Sequence, residues 1–481
     1  MQAALIGTIL DNTGGLSIMR RHLLSAAPFL VLATAASAAD LPTLPLLKSL
    51  PEVPSMTWGG ITLYGSVDIG LTYQNHGAGI SDYFVNGAAF TPQKPSNKPY
   101  FGLESNGGSL STFGLKGDWA LGDGWRAIAQ LEGAFLPTSG ELVNGPKSLV
   151  QQNGVALPNQ VVSNDSAMAG QIFSRAAWAG ASNPVWGTLT AGRQNTLLSE
   201  MTYRYDPMAG MAAFSYTTVV GAPGGGGSAE ERILNNSVRY ENAYGPVHGG
   251  AMYAFADGSR GVTYQFDGGF KYNGLSVDGV YGHGTDEISM AVLSGATGTI
   301  TAAQAAALTA AGLSESNTLS GTVYDARTYQ VTASYEYGPA KGFAGYINIL
   351  YTNPSNPLFN GAVNEGYPMI VTNTAYTNPK TLQVAWGGVQ YAVTDKLKLY
   401  GAYYYSWQND YNRTAVCNPG GAGAANCAGS QDTASIAATY QFNKNLSTYV
   451  GITYSMVHGG TGFGYLATAV VSPTVGMRYR F

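Results

Sequence analysis

Apolar and polar residues alternate without a break from Ile61 to Gln74. Ile61, Leu63, Gly65, Val67, Ile69, Leu71 and Tyr73 share one face; Thr62, Tyr64, Ser66, Asp68, Gly70, Thr72 and Gln74 share the other. A helix would repeat its apolar positions every three or four residues, so the period of two predicts a strand with one oily and one wet side. The C-terminus repeats the pattern, with Val475, Met477, Tyr479 and Phe481 set against Thr474, Gly476, Arg478 and Arg480. Near 110–120 the same rule puts Phe113, Leu115, Gly117 and Trp119 on the oily side and Thr112, Lys116 and Asp118 on the wet one. After a Leu121-Gly122-Asp123-Gly124 turn it places Trp125, Ala127, Ala129, Leu131 and Phe135 opposite Arg126, Gln130 and Glu132. Burying Glu132 or Arg126 in an apolar core is costly, whereas a water-filled interior takes them easily.

Read along the whole chain, the alternation predicts further strands near 171–181, 185–193, 233–241, 247–256, 261–272, 275–283, 328–337, 343–352, 380–391, 396–408, 432–442, 446–456 and 473–481, sixteen in all. Short connections (121–124, 182–184, 242–246, 273–274, 338–342, 392–395, 443–445) alternate with long ones (74–109, 136–170, 194–232, 284–327, 353–379, 409–431, 457–472). The segment 257–260 is the exception, short where the rhythm asks for a long loop. Short turns on one rim and long loops on the other are the architecture of an all-β, 16-stranded antiparallel transmembrane β-barrel of an outer membrane, with both termini on the periplasmic side. A secreted β-sandwich has no reason to keep that rhythm. One strand breaks the rule: Leu382, Val384 and Trp386 share a face while Val389 and Tyr391 fall on the other, which predicts a bulge or a shifted boundary. The clusters Tyr403-Tyr404-Tyr405-Ser406-Trp407 and Tyr335-Glu336-Tyr337 sit near strand ends, where an interfacial aromatic girdle belongs.

Composition agrees. Only 11% of the 481 residues are charged, against about 25% in soluble domains, while Gly (64) and Tyr (32) are abundant. After residue 38 no apolar run reaches the ~18 residues of a spanning helix, so a membrane crossing has to use strands. Met19-Arg20-Arg21-His22, the apolar run Leu23–Ala36 and Ala36-Ser37-Ala38 have the order of a secretory signal cleaved after Ala38. Residues 1–38 are therefore read as an upstream extension plus signal peptide, 39–58 as a Pro-rich periplasmic leader, and 59–481 as the barrel. Removing residues 1–38 takes two arginines and one aspartate from a net −4 and leaves −5. That mild acidity argues against nucleic acid as a partner. Cys417 and Cys427 are the only cysteines; this close in an exported chain, they predict a disulfide pinning one loop rather than a metal site. The Ala-rich 301–311 predicts a short helix in an external loop.

Sixteen strands enclose a lumen too wide for side chains alone to fill, so selectivity requires something folded inward. The third long loop, 194–232, is the segment chosen for this, with Glu200, Arg204, Asp206-Pro207, the Gly224–Gly227 run and Glu230-Glu231-Arg232. Acids on such a loop and cations on the wall would set a transverse field. By parity the wall candidates are Lys116, Arg126, Arg175 and Arg239.

These residues also carry a resemblance. Ile61-Thr62-Leu63-Tyr64-Gly65-Ser66-Val67-Asp68, Phe113-Gly114-Leu115-Lys116-Gly117, Gln130-Leu131-Glu132 and Phe173-Ser174-Arg175-Ala176-Ala177-Trp178-Ala179-Gly180 stand in order with Gly187-Thr188-Leu189-Thr190-Ala191-Gly192-Arg193-Gln194, Asp206-Pro207, Arg232–Tyr240 and the terminal Phe481. Together the chain resembles the trimeric general porins of Gram-negative, particularly proteobacterial, outer membranes. The resemblance implies wall arginines at Arg175, Arg232 and Arg193 facing acids on the third loop. It also implies a homotrimer seated among outer-membrane lipid and lipopolysaccharide, and Phe481 as the residue read by the barrel-assembly machinery. Thr112 departs from the pattern, standing where many relatives have arginine ahead of Phe-Gly or Leu-Gly, which argues against strong anion selectivity.

The expected function is passive diffusion of small hydrophilic solutes and ions, with no cofactor, no metal and no catalytic residue. A channel specific for a sugar or organic acid is the first alternative; the inward tyrosines Tyr64, Tyr404 and Tyr449 are too few for an aromatic ladder. A surface adhesin using the long loops and a lipid-hydrolysing barrel enzyme are the others. His76, His248, His283 and His458 have no zinc-site spacing, no Gly-x-Ser-x-Gly elbow occurs, and Gly224–Gly227 lacks the Lys of a phosphate loop.

Overall fold

The computed structural model describes residues 56–218, 232–258, 260–411, 417 and 425–481. The expected extension and signal peptide (1–38), most of the leader, Glu230, Glu231 and Gly224–Gly227 lie outside the described residues. Sixteen strands close into one antiparallel barrel. The first is Ile61–Gly77 and the second comes in two pieces, Lys98–Ser105 and Ser111–Gly122. Strands three to nine are Trp125–Phe135, Ala176–Asn183, Gly187–Asn195, Ile233–Tyr244, Val247–Ala254, Thr263–Tyr272 and Leu275–Ala291. Strands ten to sixteen are Leu319–Tyr337, Ala340–Thr352, Lys380–Ala392, Leu397–Gln408, Gly429–Gln441, Leu446–Gly459 and Ala469–Arg480.

The ring closes where the last strand pairs with the first, from Ser66↔Arg480 to Thr72↔Thr474. Phe481 then exchanges two backbone hydrogen bonds of 3.0 Å with Gly65. Beyond it, Met56–Trp58 pairs with Ile61–Leu63 and covers the rest of that edge. Tight turns join neighbours on one rim; Asn273 (φ 46°) and Gly274 (φ 80°) adopt the left-handed pair that a two-residue hairpin needs.

The two faces separate as the alternation requires. Leu71, Tyr73, Leu103, Leu115, Val331, Ile436, Val450, Val475 and Met477 are exposed on the outside, while Asp68, Thr72, Gln74, Gln265, Gln330, Thr453 and Thr474 are buried within. Tyr335 and Tyr337 stand exposed at the end of the tenth strand, and Tyr403 and Tyr405 are exposed within the thirteenth. The Ala-rich helix forms at Ala302–Ala311, capped by a reciprocal Thr301–Gln304 pair and ended by Gly312 (φ 67°). Residues 255–262 are a short connection, and Cys417 is joined to Cys427.

Four strand boundaries extend past the periodic reading beside a register shift. The first strand runs past Gln74 to Gly77 through a shift between Gln74 and Gly77. The second begins at Lys98, so the long loop expected at 74–109 shrinks to 78–97; residues 106–110 leave the sheet between the two pieces. The ninth and tenth strands extend to Ala291 and from Leu319, across a shift between Gly284 and Glu287 where Asp286 has φ 54°. An inserted residue inverts parity, so alternation stops being visible where pairing continues. The bulge expected in 380–391 is absent, since Lys380–Ala392 pairs in unbroken register on both sides. Here Val384 and Trp386 are buried inside the barrel and Val389 and Tyr391 are exposed outside.

At the closing seam the ring of Tyr449 lies across Gly70, Gly108 and Gly476, with its hydroxyl donating to Asp68 at 2.7 Å. A Cβ on Gly476 would stand 2.2 Å from that ring and hydroxyl. Gly476→Val is therefore expected to destabilise the closed barrel by about 1–3 kcal/mol through overpacking, lowering the temperature at which the folded band is lost in semi-native electrophoresis. A transition at the wild-type temperature would show that the ring can move aside.

Candidate functional site

After the fifth strand the chain turns inward. Thr196 caps the helix Leu197–Arg204 by accepting from the Ser199 amide at 3.1 Å. Leu197, Leu198, Met201 and Tyr205 bury against Leu234, Met252, Ala254 and Val280, apolar residues on the inner face of the sixth, seventh and ninth strands. Polar contacts fix the helix along the wall: the Leu198 amide donates to Gln265 Oε1 (3.2 Å), Thr202 to Gln330 Oε1 (3.0 Å) and Arg204 to Asp278 (3.1 Å). The following segment crosses to the opposite side. Trp386 Nε1 donates to the Tyr205 carbonyl and Gln390 Nε2 to the Pro207 carbonyl, both at 3.0 Å. Met208, Met211, Phe214 and Tyr216 pack on Ile347, Ile349, Val384, Trp386, Tyr404 and Tyr449. The apolar inner face that broke the sequence rule is thus the seat of the inserted loop. Its far end is clasped by the wall, with the Ala213 amide donating to the Gly107 carbonyl (2.9 Å) and Thr453 donating to the Ala213 carbonyl (2.7 Å).

Between loop and wall a cavity of about 630 Å³ remains. On the wall side it is bounded by Arg478, Ser66, Thr112, Glu132, Arg175 and Arg232, and on the loop side by Glu200, Tyr203 and Arg204. Asn106 and Gly108, from the gap in the second strand, reach it too. The cavity is eccentric: the loop rests on strands six to fifteen, leaving the sector from the last strand through the fifth to border the open space.

The residues selected from sequence fall into distinct places. Arg175 faces the cavity with Nε 3.1 Å from Glu132, and Arg232 faces it with its guanidinium 4.8 Å from the Tyr203 ring. Glu200 lines the cavity and is held by Arg239, which also meets Glu241 at 2.7 Å and the Asn195 carbonyl at 3.2 Å. Arg239 is thereby a clamp on the loop helix. Arg193 is buried away from the cavity, donating to the Ser174 and Ala167 carbonyls and to Asn235. Its place corrects the expectation that it faces the lumen field. Arg126 sits exposed beside the 121–124 turn, paired with Asp118 at 2.7 Å, far along the strand from Glu132. Lys116 lies 4.7 Å over the Tyr64 ring and does not border the cavity. Asp206, a residue of the loop, is buried against the wall, accepting from the Tyr404 hydroxyl and from the Gly210 amide (2.6 Å).

Arg478, Glu132 and Tyr203 were not selected from sequence as constriction residues. Alternation had placed the first two on the wet face, and nothing in it distinguished them from other lumen charges. The inward tyrosines share one role: Tyr64 donates to Glu132 (2.7 Å), Tyr404 to Asp206 and Tyr449 to Asp68. Among the described residues the one grouping compact enough to ligate a metal is Asp410 with Cys417 and Cys427, whose sulfurs are bonded to each other.

Comparison with known proteins fits this geometry. A family model described as Gram-negative porin matches residues 24–460. An outer membrane porin protein of Bordetella pertussis is 28% identical over 320 residues, covering 65% of this chain and 68% of that protein. Among solved structures, an anion-selective porin from Comamonas acidovorans aligns with a TM-score of 0.55 at 15% identity, covering 88% of this chain and 99% of that one. The trimer form of OmpT from Vibrio cholerae aligns at 0.50 with 14% identity over 88% and 99% of the two chains.

Asp206→Ala removes the acceptor of both Tyr404 and the Gly210 amide. The loss is expected to cost about 1–3 kcal/mol, felt by the loop more than by the barrel. Hydrogen exchange over 205–216 should accelerate while the heat stability of the barrel stays near wild type. Identical exchange in the two proteins would remove Asp206 from the anchor.

Proposed function

The chain belongs to the Gram-negative porin family and is a diffusion channel of the outer membrane, and from that premise we propose that the eccentric cavity is its constriction, where a transverse field sorts small hydrophilic solutes and ions. The observation that carries this reading is the inward loop packed on one wall, with the opposite wall left open and lined by charge. A hydrated solute descending through the barrel meets Glu200 and Arg204 on the loop and Arg175, Arg232 and Glu132 on the other side. In such a confined space each fixed charge acts through a lower effective dielectric than in bulk water, so a single residue can bias which ion passes. Passage is passive, and the reading assigns no catalytic residue, metal or cofactor.

A solute-specific channel is less well supported. An aromatic ladder would need rings exposed along the path, whereas Tyr64, Tyr404 and Tyr449 are tied to carboxylates and, of the aromatic residues, Phe84 and Tyr203 border the cavity. The assembly we propose is a homotrimer, set in lipid and lipopolysaccharide by the exposed apolar belt, with Phe481 presented to the barrel-assembly machinery.

Reconstituted in a planar bilayer, the purified protein is expected to conduct in three equal steps. Arg175→Ala leaves Glu132 without its cationic partner, and Arg232→Ala removes a cation from the same wall. Each should lower the chloride-to-potassium permeability ratio, on the order of two-fold. If the reversal potential of both variants matches wild type, neither arginine belongs to the filter.

A further inference from the structure

The constriction has a charge asymmetry that its ion pairs leave exposed. Among the described residues bordering the cavity there are four arginines, Arg175, Arg204, Arg232 and Arg478, and two carboxylates, Glu132 and Glu200. Both carboxylates are already engaged, Glu132 by Arg175 and the Tyr64 hydroxyl, Glu200 by Arg239. Arg204 is paired with Asp278. Arg478 makes no salt bridge with a described carboxylate, and its Nε is buried without a hydrogen-bond partner.

Its surroundings explain why. Asp68 is Arg478's register partner across the closing seam, but that carboxylate is drawn away by the Tyr449 hydroxyl (2.7 Å) and the Gly108 amide (3.1 Å). On the adjoining strands the cavity wall is Ser66 and Thr112, neutral hydroxyls that pair across the first and second strands. A cation beside a neutral patch, facing a loop whose acid is bound elsewhere, leaves a positive potential in the open part of the lumen.

We propose that Arg478, on the last strand, is a specificity-determining residue that gives the constriction a preference for small anions, inorganic or carboxylate- and phosphate-bearing. The inference rests on the cavity being the conduction path. It overrides the expectation drawn from Thr112, because the cation missing at that position is supplied from the neighbouring side of the seam. A guanidinium held in no salt bridge offers several donors in one plane to an oxyanion passing within contact.

The test is the reversal potential of single wild-type, Arg478→Gln and Arg478→Lys channels in a potassium chloride gradient near 0.1 M, where screening acts over about 10 Å. Folding of each is checked by heat-dependent electrophoretic migration. Wild type is expected to prefer chloride, Arg478→Gln to lose at least about half of the chloride-to-potassium ratio, and Arg478→Lys to keep most of it. A wild-type preference for potassium, or an unchanged ratio in folded Arg478→Gln with normal conductance, overturns the assignment. Should Arg478→Gln fail to fold, a folded Arg478→Lys whose ratio, measured at a pH that deprotonates lysine, matches wild type overturns it instead. Folded wild-type trimers that pass no current overturn the channel reading, and the role of Arg478 with it.

Discussion

In a medium without water every backbone amide has to find its partner within the protein, and an orphaned group costs on the order of several kcal/mol. A sheet meets that demand only by closing, which makes the seam between first and last strand the contact on which the rest depends. The seam is short: Ser66–Thr72 pairs with Thr474–Arg480, Phe481 adds its two bonds to Gly65, and Met56–Trp58 covers the remainder. It is reinforced from inside, where Tyr449 lies on a floor of glycines from both edge strands and the gap of the second strand. Larger side chains there would displace the ring, and with it the hydroxyl that fixes Asp68.

Closure creates a second demand. Sixteen strands surround more space than their own inward side chains fill, and the chain answers with a loop instead of a plug of larger residues. The inner wall is accordingly of two kinds. From strands six to fifteen it is apolar or bonded to the loop; from the last strand through the fifth it is polar and borders the open space. The gap at 106–110 couples the two demands, because its Gly107 carbonyl receives the loop tip while its Gly108 amide binds Asp68 at the seam.

This division explains how much was legible in the sequence. The outer belt obeys one rule everywhere, since lipid is uniform, and so strand number, the short turns and the oily faces of the first and last strands could be read directly. The inner face obeys two rules, because it meets water in one sector and protein in the other. Leu382, Val384 and Trp386 therefore looked like a defect when they were the seat of the loop residues Met208, Met211, Phe214 and Tyr216 and the donor to the Tyr205 carbonyl. The register shifts at Gln74/Gly77 and Gly284/Glu287 hid strand length for a different reason: an inserted residue inverts parity without ending the ladder.

The arginines show the same limit at the level of single residues. Parity and motif bring Arg126, Arg175, Arg193, Arg232 and Arg239 to one side of the sheet, yet depth along the strand and the presence of the loop give them different work. Arg126 is at the rim, Arg193 ties the 136–175 connection to strands five and six, and Arg239 grips the loop helix. Arg175 and Arg232 border the cavity, the latter against the ring of Tyr203. A guanidinium serves equally as a buried clamp, using its fork of donors on carbonyls, and as a fixed charge in a lumen. What separates the two uses is the backbone that surrounds the residue, and that backbone comes from a loop distant in sequence and adjacent only after the barrel has closed.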